Sequence, residues 1–161
     1  MAWVKQGRVY TPPGEPAWRS SHAQLPTVDV ISGDRWRIYF AVRDERGRSR
    51  PTFVETPAGR PEQILHEHDQ PILELGPPGA FDDSGVMPSW ITKVGDRRFL
   101  FYTGWTLGVA VPYHTEIGVA VSDDGGTTWE KASEGPVLGR NHVDPYLTGS
   151  PCVLWDGGVL R

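Results

Sequence analysis

A single cysteine, Cys152, stands in 161 residues, so neither an internal disulfide nor a cysteine-based zinc site can form within the chain. Its neighbours Pro151, Val153, Leu154 and Trp155 make an apolar run, where a thiol is expected to be buried and inert. Long apolar stretches are missing as well. Nothing approaches the roughly 20 apolar residues that span a bilayer, and the N-terminus lacks the continuous hydrophobic core of a secretory leader. On that ground the expectation is a cytoplasmic, membrane-free protein, with secretion still open. Nor is there a basic stripe: formal charge is −4, pI is about 5.7, and both signs are mixed along the chain. Phosphate neutralisation needs clustered cations, so nucleic acid is not an expected partner. Disorder is excluded in turn by 38% hydrophobic and 11% aromatic content.

Long helices are also lacking from the pattern. The 19 glycines and 15 prolines punctuate the chain so often that no uninterrupted window carries an apolar 3.6 period. What recurs is a run of β-branched and aromatic residues, a glycine-containing turn and a second such run, which predicts hairpins. Segments 27–31 and 36–42 form the first pair, and segments 90–94 and 99–104 the second.

These hairpins repeat. Pro26, Pro88 and Pro151 are 62 and 63 residues apart, and seven residues after each comes a glycine, Gly33, Gly95 and Gly158. Third and fourth strands are predicted at 49–56 and 70–75 in the first unit, and at 115–122 and 129–138 in the second. A four-stranded sheet of this size cannot hide both faces alone, and radial stacking of such sheets makes a β-propeller. The expected fold is therefore all-β, with four-stranded antiparallel blades: an N-terminal segment at 1–21, blade 1 at 22–76, blade 2 at 77–138 and the start of blade 3 at 139–161. A β-sandwich is the alternative, although it requires no repeat of this length.

The stretches 21–26 (SHAQLP), 39–44 (YFAVRD), 81–89 (FDDSGVMPS), 101–105 (FYTGW) and 144–146 (DPY) resemble the five-bladed propeller glycosidases, the group of arabinanases, β-xylosidases, invertases and levansucrases. The resemblance implies a partial five-bladed propeller with about two and a half blades, its N-terminal half. Five blades of about 62 residues need roughly 310. An uncovered blade face of roughly 500 Å² forgoes about 12 kcal/mol of gross burial, so a second chain or a missing C-terminal half is expected to cover it.

The resemblance implies glycoside hydrolysis by two carboxyl groups, roughly 5 to 5.5 Å apart for retention or 6.5 to 9.5 Å for inversion. The positions to inspect lie before the repeated prolines, near the central funnel. There Asp83 and Asp144 are the candidate carboxylates, as base or as stabiliser of oxocarbenium-like charge. Arabinanase-like enzymes carry an aspartate beside the proline of an early blade, whereas this chain has Leu25, Met87 and Ser150 before its prolines, and no glutamate after Glu134. Candidate carbohydrate-binding residues are His22 and Gln24 in the first blade and Arg140 and His142 in the third. Arg43 and Asp44 form a possible hydrogen-bonding fork, with Trp105 and Tyr146 as stacking platforms. Trp36, Trp90 and Trp155 fall in predicted strands and are assigned to packing. The alternative is a carbohydrate-binding or scaffold propeller without hydrolytic power.

Two further motifs are read as structural. Residues 122–129, SDDGGTTW, match the Asp-box pattern, in which Asp124 accepts backbone N–H bonds and Trp129 tucks beneath the hairpin. His66 and His68 are expected to share one face of a strand with Glu67 facing away, and a lone His-x-His is insufficient for a metal site. No metal and no cofactor is expected.

Overall fold

A computed structural model describes residues 2–5 and 7–161. Among the described residues the chain is all-β apart from one 3₁₀ turn at Ala17–Arg19. β1 (Ser21–Ser32), β2 (Arg35–Arg43), β3 (Ser49–Pro57) and β4 (His66–Glu67) form an antiparallel meander. β5 (Gly85–Val94), β6 (Arg97–Leu107), β7 (Tyr113–Ser122) and β8 (Glu130–Lys131) form a second. One parallel pair, Ser49 with Gly85, joins the two meanders into a mixed sheet. A short hairpin, β9 (Trp155–Asp156) with β10 (Val159–Leu160), stands apart, its turn made by Gly157 and Gly158.

The turns explain why strands end where they do. In the second unit Gly95, at φ 60°, supplies the left-handed step between Val94 and Arg97. The turn after β2 is organised by Asp44, whose carboxylate accepts from the backbone N–H groups of Arg46 and Arg48, each at 2.9 Å. Arg48 and Arg50 pair with its other oxygen at 2.9 and 3.1 Å.

The middle strands are buried on both faces, as a sheet stacked between layers requires. Alternation along β2 sends Tyr39 one way and Ile38, Phe40 and Val42 the other. Tyr39 joins Phe53, Ile72, Leu73, Val86, Leu100 and Tyr102 in the core between the two meanders. The opposite face, with Val54, is covered by Tyr10 and Trp18 from the N-terminal segment. Tyr10 is fixed there by its hydroxyl donating to Glu67 at 2.6 Å, and Arg19 pairs with the same carboxylate at 2.7 Å.

Polar groups also cross the seam. Arg98 on β6 meets Asp29 on β1 at 2.6 Å. The turn at residues 122–129 docks on β2, with Tyr39 donating to the Gly126 carbonyl at 2.7 Å and Arg37 to that of Gly125 at 3.0 Å. Within the turn Asp124 accepts from Thr127 and Thr128 N–H and from the Thr128 hydroxyl. Partial burial opposes ionisation, but the Thr128 backbone and hydroxyl and the Ser122 hydroxyl outweigh it and hold the carboxyl down to about 2. Trp129 packs edge-on to Tyr39 and donates to Gly126.

Several expectations need correction. The fourth strands are two-residue pieces, His66–Glu67 and Glu130–Lys131, rather than 70–75 and 129–138. Pro71 and Pro136 lack the N–H that a ladder needs. Ile72 and Leu73 instead turn their side chains into the core, while Leu138 keeps only an isolated bridge to Ile117. Cys152 is exposed, because residues 151–154 form no strand. Trp155, assigned to packing, is 44% exposed on its small hairpin. His68 stacks on Phe53 with centroids 4.5 Å apart, and the His66 and His68 rings lie 6.3 Å from each other. Among the described residues no cluster of three or more His, Cys, Asp or Glu is placed to hold a metal, and no helix is long and apolar enough to cross a membrane.

Candidate functional site

The residues that precede the three repeated prolines meet in space. Leu25, Met87 and Ser150 line one cleft of about 550 Å³, and Pro26, Pro88 and Pro151 line the adjoining one. A repeat read from the sequence thus marks a common centre, with one contribution from each unit. Leu25 and Ser150 hold φ of 54° and 51°. A left-handed backbone at a non-glycine residue is costly and concentrates at binding and catalytic sites.

The second strands supply the walls. Arg43 ends β2 and Trp105 lies near the end of β6, 62 residues on, the same offset that separates Pro26 from Pro88. Each pairs with an early residue of the following strand, Arg43 with Ser49 and Trp105 with Thr115. Both carry a buried N–H without an acceptor, Nε of Arg43 and Nε1 of Trp105. The Trp105 indole lies over Gly85, where any β-carbon would occupy the ring's position. Thr103, Tyr113 and Thr115 add hydroxyls, and Leu147 adds an apolar side. The Thr103 hydroxyl is fixed by Ser89 and by the Ser150 N–H, both at 3.0 Å.

The sequence candidates fall into three groups. Arg43 and Trp105 line the cleft, and Gln24 lies behind it, its amide donating to Ser49 at 3.2 Å and touching Met87 sulfur at 3.4 Å. Asp83, Asp44 and Arg140 are held by their own surroundings. Partial burial works against ionisation of Asp83, but the hydroxyl of Thr106, the Gly79 N–H and the Ser84 hydroxyl prevail and keep its carboxyl below the usual carboxylate range. The Asp44 carboxylate is committed to its turn; burial opposes its ionisation, and Arg48 and Arg50 overcome that and lower it. Arg140 lies against Glu116 at 3.8 Å. His22, His142, Asp144 and Tyr146 are exposed, Tyr146 at 83%. The Asp144 backbone closes a turn with Asn141, and its carboxylate makes no hydrogen bond among the described residues.

Asp82 does a different job from its neighbour. It is buried, accepting from Lys131 at 2.6 Å and Tyr102 at 3.1 Å, and it anchors β8 to the core. Burial and this carboxylate together push the Tyr102 phenol well up.

Thr103, Thr115, Tyr113 and Leu147 were not singled out from sequence. The alternation of β6 and β7 carried the signal, since Thr103 shares a face with Trp105, and Thr115 with Tyr113.

No family model matches the chain. Two uncharacterized proteins of Mycobacterium tuberculosis, from strains CDC 1551 / Oshkosh and ATCC 25618 / H37Rv, are each 44% identical to it over 161 residues, 100% of this chain and 54% of theirs. The chain therefore spans about half the length of the curated relatives it matches. Among solved structures, Zg3597, a family 117 glycoside hydrolase produced by the marine bacterium Zobellia galactanivorans, is similar with a TM-score of 0.59 at 17% identity, over 85% of this chain and 39% of that one. A second chain described as a glycoside hydrolase matches with a TM-score of 0.59 at 18% identity, over 82% and 43%. At such identities the likeness shows the fold, which is glycoside hydrolase-like.

Proposed function

We propose that this chain forms the opening blades of a five-bladed β-propeller of glycoside hydrolase type, and that a glycan lies in the cleft at its axis. The observation that carries this reading is the gathering of Leu25, Met87 and Ser150, one from each repeat, on the same 550 Å³ cleft. Small-ligand sites are concave, mostly apolar and furnished with a few aimed polar groups. Leu25, Met87 and Leu147 with the Trp105 ring suit the apolar face of a sugar, and Thr103, Thr115 and Arg43 suit its oxygens.

The leading chemistry is hydrolysis by carboxylates that stand outside the residues lining the cleft. Asp83, ionised because its hydrogen bonds favour the charged form, would serve as base or as electrostatic stabiliser rather than as acid. Asp144, exposed and unpaired, is the second candidate carboxylate. Closing the ring calls for further blades, from more chain or from a second chain, over faces such as the exposed Val28 and Val30 on β1. A second reading, glycan binding without turnover, is favoured by the wall itself, where the residues around the cleft include no Asp or Glu.

A panel of nitrophenyl glycosides, followed by release of nitrophenol, separates the two. The expected result is turnover of at least one glycoside, lowered about 10²-fold or more by Asp83→Asn. Full activity in both Asp83→Asn and Asp144→Asn would remove these carboxylates from the mechanism. Saturable binding with no release would select the second reading, and neither binding nor release would end the carbohydrate proposal.

A further inference from the structure

The guanidinium of Arg43 differs from every other shielded cation among the described residues. Arg19, Arg37, Arg48, Arg50, Arg98 and Lys131 each pair with a carboxylate within 3.2 Å. Arg43 pairs with none, although it is half-buried and its Nε is sealed from solvent without an acceptor. Its neighbour Asp44 cannot neutralise it, being engaged by Arg48 and Arg50. A shielded charge is retained at a cost unless something compensates it, and here the open side of the residue is the cleft.

We propose that the cleft selects an acidic sugar, a glycan unit carrying a carboxylate, with Arg43 as the counter-ion. This rests on the reading of the cleft as a glycan site. The fork of a guanidinium matches a planar carboxylate in a two-bond pairing. Charge balance points the same way: among the described residues that line the cleft Arg43 is the lone cation and there is no Asp or Glu, so one negative charge on the ligand matches it. A phosphate ester would bring up to two. The uronate ring then lies against Trp105 and Met87, with its hydroxyls toward Thr103 and Thr115.

The test is isothermal titration of the 161-residue chain with glucuronate, glucose and glucose 6-sulfate, at low and at 0.5 M salt, with tryptophan fluorescence as a second readout. Glucuronate should bind at least about tenfold more tightly than glucose, with the advantage shrinking at high salt. Arg43→Gln should erase that advantage, bringing glucuronate to the affinity of glucose in the same variant. Because the Arg43 side chain makes no ion pair or hydrogen bond among the described residues, the melting temperature of this variant should stay near that of the parent. Arg43→Lys, which keeps the charge and loses the fork, should retain part of the preference, and it serves if the glutamine variant does not fold.

Equal binding of glucuronate and glucose, indifferent to Arg43→Gln, overturns the inference and leaves the glycan site standing. Tighter binding of the sulfate ester than of glucuronate overturns the choice of carboxylate. No binding of any sugar overturns both.

Discussion

The ion pair between Asp29 and Arg98 holds the first meander to the second, and its removal has a calculable signature. The two groups meet at 2.6 Å, with their side chains only 12% and 10% exposed. Arg98→Leu keeps the stem's apolar contacts and abandons the Asp29 carboxylate in a poorly solvated place. Breaking one side of a buried pair costs about 3 to 5 kcal/mol. Urea unfolding of parent and Arg98→Leu at pH 7, followed by circular dichroism, should therefore show a loss of about 3 to 5 kcal/mol. The double variant Asp29→Asn/Arg98→Leu, which has no charge to strand, should lose markedly less than Arg98→Leu. A loss under about 1 kcal/mol, or equal losses in the single and double variants, would mean that the seam is wet and that this pair does not fix the angle between the meanders.

Asp124→Ala deletes the acceptor that organises residues 122–129, and a cap of this kind is worth about 1 to 2 kcal/mol; the urea midpoint at pH 7 should fall accordingly. Since the Asp124 carboxyl is held down to about 2, its stabilisation is complete above about pH 4 and disappears as pH falls through 2. The gap between parent and variant should therefore close in acid unfolding below that point. Gly85→Ala should push the Trp105 indole off its seat, costing about 1 to 3 kcal/mol through overpacking; the melting temperature should fall and the tryptophan emission maximum should shift. An unshifted spectrum with parental stability would refute the placement of Trp105 over Gly85.

Arg37 and Glu55 show how far local reading reaches. Both lie in strands that the alternation of residues 36–42 and 49–56 located, yet their 2.7 Å pairing and the stacking of Arg37 over Phe53 at 4.3 Å depend on register across β2 and β3. Pro71 shows where local reading misled. A proline followed by Ile72 and Leu73 looks like the start of a strand, but those side chains are claimed by a core that residues of the second meander complete. The same competition separated Asp82 from Asp83, adjacent in sequence, one buried against Lys131 and Tyr102 and the other near the surface.

Hairpin turns, strand alternation and the 62-residue spacing of prolines and glycines belong to the sequence, because each is set by backbone preferences and side-chain size within a few residues. The spacing also marked the segments that converge on the cleft. Tertiary structure alone decided which remote charges met: Asp29 found an arginine 69 residues away, while the Arg43 side chain meets no carboxylate among the described residues. Pairing is a property of three-dimensional distance, and distance between remote residues is fixed only when the sheets pack.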